Sequence, residues 1–158
     1  MKKTLFALTP LLFATLLLFG CFTPRAIKGN ASSSLTGKTV DFKKMMNPSF
    51  AEDYIDADVI TSAEFYDPNP SKYDHLKMPK GHLAFQVLPI GGKPNTSVLG
   101  GAETGYHVFI PKSEADGIFD IEKGTRIELR GGTHVTKTGG LGISHKTVNF
   151  KATSMSVK

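Results

Sequence analysis

The chain predicts a small, mainly β domain with short helices, and three observations carry that prediction. From Ile55 onward apolar and polar residues alternate in five separate runs, the pattern of strands that bury one face. Asp67-Pro68-Asn69-Pro70, Gly91-Gly92-Lys93-Pro94-Asn95 and Pro111 punctuate those runs, because proline cannot donate to a ladder and these clusters favour turns. The helical stripe of Val40, Phe42, Met45 and Met46 is brief and ends at Asn47-Pro48, since the residue before a proline is disfavoured in the helical region.

Taken in order, the chain opens with Lys2 and Lys3 ahead of an apolar run over residues 5–19. That length suits a signal peptide and is short for a spanning helix. Residues 21–39 are rich in Ser, Gly, Thr, Asn and Lys, with Ala31-Ser32-Ser33-Ser34 at the centre, and read as a flexible tether. Asn30-Ala31-Ser32 has the form of a glycosylation tripeptide, a pattern that arises readily by chance. The domain itself is expected over 40–158. Met45 and Met46 pack their helix onto it, and a second turn follows over 49–54. The first strand is expected over 58–66. The second runs over 83–90 with Leu83, Phe85 and Val87 on one face, and the third over 105–110, stopped by Pro111. Ser113 with Asp116 three positions on suggests a capped, very short helix over 113–117. The fourth strand, 125–130, alternates Ile127 and Leu129 with charges, and the last, 147–152, turns Val148, Phe150 and Ala152 to the core. The glycine-rich stretches 91–105 and 131–142 read as mobile hairpin tips.

Three strands, a short helical link, the stretch Ile121-Glu122-Lys123-Gly124-Thr125-Arg126-Ile127-Glu128-Leu129-Arg130-Gly131 and a final strand resemble the order of an OB-type five-stranded barrel over residues 55–158. The resemblance implies a closed ring without exposed edges. An open sandwich or a dimer-forming sheet fits the same pattern. Such barrels bind through the loops between strands, which here would gather Lys93, His134, Lys137, Thr138, His145 and Lys146 into a weakly basic rim, the expected contact surface for a ligand or partner.

Leu18-Phe19-Gly20-Cys21 closes the apolar run and contains the only cysteine. The tetrapeptide resembles the lipobox of bacterial lipoproteins. That resemblance implies a diacylglyceryl group on the Cys21 thiol, cleavage between Gly20 and Cys21, and an acylated amine at the new terminus. Such a protein is anchored to the membrane by two or three acyl chains without spanning it. An ordinary secretory peptide with an incidental cysteine is the alternative. Phe22, rather than aspartate, follows the cysteine, which implies the outer membrane in a cell that has two.

Composition and motifs narrow what the domain does. Removing residues 1–20 takes Lys2 and Lys3 and leaves 17 basic against 14 acidic residues, a balance too mild and dispersed for nucleic acid. With Cys21 carrying lipid, no thiol is left for a disulfide, a nucleophile or a metal. His75, His82, His107, His134 and His145 show neither H-x-x-x-H nor H-x-H spacing, so no metal site is expected. No phosphate-binding glycine motif and no G-x-S-x-G turn is present. Asp53, Asp56, Asp58 and Glu64 lie on a solvated approach, and Glu128 faces outward opposite Ile127 and Leu129. The expectation is a membrane-anchored, non-catalytic binding or scaffolding module of the bacterial envelope, without a cofactor, its partner an envelope protein complex. The alternative is a lipid-anchored metal-dependent protein or hydrolase that uses the histidines and glycine-rich loops.

Overall fold

A computed structural model describes residues 25–29, 33–68, 78–95, 103–140 and 143–158. The expected signal segment, Gly20 and Cys21 at its cleavage point, the Asn30 tripeptide and His75 lie outside the described residues.

Seven named elements organise the described chain: β1 (Arg25–Ala26), α1 (Phe42–Met45), β2 (Val59–Asp67), β3 (His82–Leu88), β4 (Tyr106–Pro111), β5 (Arg126–Gly140) and β6 (Ile143–Val157). β2, β3 and β4 form an antiparallel meander, β4 lies parallel to β6, and β6 pairs antiparallel with β5, which returns to β2. The five strands therefore close into a ring, with β1 added outside on β5. This is the mainly β, OB-like order that the sequence predicts, and closure leaves none of the five as a free edge along its paired length.

Alternation explains the interior. Val59, Thr61, Ala63 and Phe65 of β2 point inward while their neighbours are half-exposed. Phe85 and Val87 of β3, Val108 and Ile110 of β4, Ile127 and Leu129 of β5, and Phe150 and Ala152 of β6 complete the core. With no tryptophan in the chain, phenylalanines fill it: Phe65 stacks on Phe85 at 5.5 Å between ring centroids. α1 joins through Phe42, whose ring meets Tyr106 edge-on at 5.7 Å and Phe150 at 6.1 Å. The Asp41 carboxylate starts that helix by accepting from the Lys44 N–H at 2.7 Å, which satisfies one of the donors a helix start leaves open.

Four expectations are revised. The glycine-rich stretch expected as a mobile tip is strand: β5 runs unbroken from Arg126 to Gly140. A register shift between Arg130 and Gly131 opens a bulge against β6. Gly131 has φ 147, and a Cβ there would overlap the Lys151 carbonyl oxygen. At Gly132 a Cβ would stand 2.5 Å from the Tyr54 carbonyl oxygen. These glycines allow close approach of backbones rather than a flexible loop. β6 is likewise longer than expected, because its two ends pair with both ends of β5. The capped helix of 113–117 is replaced by two 3-10 turns, Lys112–Glu114 and Ile118–Asp120, separated by Gly117 at φ 73.

The fourth revision concerns the tether. Its described part is hydrogen-bonded to the barrel: Ile27 donates its N–H to Val135 O at 2.9 Å, Gly37 donates to Asp58 O at 2.7 Å, and Lys38 O accepts from the Ile60 N–H at 2.9 Å. Polar composition was a poor guide there, because a strand edge needs backbone donors and acceptors and makes little demand on side chains.

A candidate binding groove beside the β5–β6 arm

Past the bulge, β5 leaves β2, and β5 and β6 continue as a two-stranded arm with β1 along its side. Arg25 pairs with Lys137 and Lys137 with Lys146; one row inward, Val135 pairs with Val148. Directly opposed residues share a face, and residues two apart along a strand share it too. One face of the arm is thus apolar near the barrel, where Ile27, Val135 and Val148 pack with Ala51 and Ile55, and cationic further out. Thr133 ties the arm to the segment beneath it by donating its hydroxyl to Ala51 O at 2.5 Å.

A groove of about 480 Å³ opens between α1 and the start of β6. Met46, Tyr106 and Val148 supply its apolar lining, and Lys43 and Lys146 its charge, with Asn47, Pro48 and Thr147 between them. Lys146 Nζ also lies 2.5 Å from Glu52 Oε1. Arg25 and Lys137 are exposed, and among the described residues neither has an ion-pair partner. Like charges placed directly opposite one another destabilise a sheet by roughly a few tenths of a kcal/mol or more. The row is therefore not explained by the stability of the fold, and it suits an anionic surface with an apolar margin.

The structure divides the expected basic rim. Lys137 and Lys146 sit directly opposite each other, and Thr138 pairs with His145 in the next row. His134 pairs with Asn149 and, by alternation, faces the other side, where its ring meets Phe109 edge-on at 5.6 Å. Lys93 is exposed in the turn after β3, and among the described residues no hydrogen bond or ion pair joins it to the arm. Arg25, Lys43 and Tyr106 were missed. The signal for Arg25 was present: Arg25-Ala26-Ile27, Val135-Thr136-Lys137 and Lys146-Thr147-Val148 each set a cation two residues from an aliphatic, the period of one strand face.

Several other titratable residues have structural partners. Arg130 grips Asp58 with two hydrogen bonds of 2.7 Å, Nε to Oδ1 and Nη2 to Oδ2, and this guanidinium holds the Asp58 carboxyl below its usual range. Lys151 lies 3.8 Å from Asp56, and Lys158 lies 2.8 Å from Glu128. Glu64 accepts from the Gly91 N–H at 3.0 Å. His82 Nδ1 lies 3.1 Å from Lys80 O. The Gln86 amide nitrogen donates to His107 Nε2 at 3.2 Å while its oxygen accepts from the Gly105 N–H at 2.9 Å, so this buried amide has partners at both ends. Among the described residues no group of three His, Cys, Asp or Glu is placed to hold a metal ion, and no helix is long and apolar enough to cross a membrane.

Fold and groove together define a small closed β-barrel of OB-like order whose β5–β6 arm carries a basic, apolar-margined surface. No family model matches the chain, and neither a curated protein nor a solved structure does.

Proposed function

We propose that this chain is a lipid-anchored binding module of a bacterial envelope, tied to the membrane through acyl chains on Cys21 and engaging its partner without catalysing a reaction. The observation that carries this reading is the tetrapeptide Leu18-Phe19-Gly20-Cys21, set directly after a basic start and an apolar run. Leu18 suits an apolar subsite, small Gly20 a narrow cleavage site, and the Cys21 thiol is the atom to be alkylated. Acyl chains on one residue hold a protein for long periods only when there are two or more, because each buried methylene contributes roughly 0.8 kcal/mol. Phe22 at the position after the cysteine favours the outer membrane where the cell has two.

The groove and the row of Arg25, Lys137 and Lys146 support a binding role for the domain, since they offer charge, an aromatic ring and apolar lining on one side of the barrel. In a bacterial host, the wild-type chain should incorporate radioactive palmitate and shorten by its first 20 residues. Cys21→Ser should stay full length and unlabelled. Normal processing and release of that variant would refute the anchor.

A further inference from the structure

We infer that the row of Arg25, Lys137 and Lys146 is a docking surface for the anionic headgroups of the membrane that holds the chain. The inference rests on the proposed Cys21 anchor and adds to it an orientation and a ligand.

Chain length supplies the first argument. Arg25 stands four residues after Cys21, and a fully extended chain gains at most about 3.6 Å per residue, so the two lie within about 14 Å of each other. Arg25 is not the end of a loose linker, because β1 pairs with β5 at Lys137 and Thr136, and Ile27 continues the contact at Val135. An acylated Cys21 therefore brings the β1–β5–β6 arm to the headgroups before any other part of the barrel. About 14 Å is the maximum; a spacer short of full extension brings the row within the Debye length of roughly 8–10 Å at physiological salt, where its charges act on the surface.

Charge and layout supply the second. Three exposed cations stand in one row across three strands, and Glu52 answers only Lys146. Asp56 and Asp58, on the neighbouring segment, are engaged by Lys151 and Arg130. Basic residues beside a membrane anchor are attracted to anionic lipid. The groove next to the row adds Tyr106, an amphipathic side chain of the kind enriched where membrane meets water, and Met46 and Val148 beside it. Lys112 and Lys123, after β4 and ahead of β5, sit at the opposite end of the ring, where this orientation turns them to water.

The test uses the full, processed and palmitate-labelled protein reconstituted in vesicles of phosphatidylcholine alone, or with roughly 30 per cent phosphatidylglycerol. A membrane-impermeant amine acetylating reagent is applied and each lysine is quantified by mass spectrometry. Lys137 and Lys146 should react about threefold more slowly or less in the anionic vesicles, with labelling restored by about 0.5 M salt, while Lys112 and Lys123 react alike in both. Equal reaction of Lys137 and Lys146 in the two vesicles, in protein that carries palmitate, overturns the docking surface and leaves the anchor standing. A chain that takes up no palmitate overturns the anchor instead. Protection by added heparin in neutral vesicles, without protection in anionic ones, assigns the row to a soluble polyanion and overturns the lipid assignment.

Discussion

Gly131 is the residue on which the arm turns. Its φ of 147 lies where side chains other than glycine's are strained, and the Lys151 carbonyl oxygen fills the place a Cβ would take. Gly124 offers a comparison, because its φ of 90 is also positive but open space surrounds it. Gly124→Ala pays backbone strain alone, whereas Gly131→Ala adds an overlap between two strands that are paired on either side of it. Gly131→Ala should therefore lose about 2 kcal/mol or more, and Gly124→Ala about 1 kcal/mol, read as lowered urea midpoints at unchanged slope. Equal losses would show that the bulge can relax, and that Gly131 serves only backbone freedom. The bulge is also gripped from the β2 side, since Arg130, the residue before it, holds Asp58 with both nitrogens.

At the level of elements, the arm sets charge against fold stability. Lys137 faces a cation on each side, Arg25 on β1 and Lys146 on β6, so Lys137→Glu turns two repulsions into two attractions. Cross-strand pairs of this kind are worth roughly 0.2–1 kcal/mol each, and the variant should melt about 2 °C or more above wild type at low salt, with the gain shrinking as salt rises. A lower melting temperature at low salt would mean that the cations do not repel one another in the folded chain. The same arm shows what the sequence made legible. Alternation located all five ring strands and the inward faces of β3, β5 and β6, because Phe85, Ile127 and Phe150 must reach one core whatever the register. It stopped β5 at Arg130 and began β6 at Thr147, because Gly131, Gly132, Gly139 and Gly140 read locally as a loop. Gly131 and Gly132 are there because of the neighbouring backbone, which no local pattern contains. Lys137 and Lys146 stand out in the sequence as basic residues near a turn, and the same cation-to-aliphatic spacing recurs at Arg25, but that the three stand in one row follows only from register.

At the scale of the whole molecule, the β-ring and the segment before it form one hydrogen-bonded body. Residues 33–39 look like linker by composition, yet Lys38 and Val40, just past that stretch, bracket Ile60, with Ile60 donating to Lys38 O and Val40 donating to Ile60 O, both at 2.9 Å. Leu35 and Val40 pack against the main core, and Ile27 against the smaller cluster under the arm. Gly29 approaches Ile55 so closely that a Cβ would collide with that side chain. A free tether exchanges its amide hydrogens at the rate of an unstructured peptide, whereas an amide held in a packed ladder exchanges only when that region opens. The amides of Ile27, Gly37 and Val40 should therefore exchange at least about tenfold more slowly than unstructured peptide, as followed by hydrogen exchange on the processed chain. Protection at these three positions would leave only the few residues between Cys21 and Arg25 as a spacer, so that the proposed anchor would hold the barrel against a membrane. Unprotected exchange at all three would lengthen that spacer past residue 40 and let the arm turn freely, separating the position of the anchor from the orientation of the cationic row.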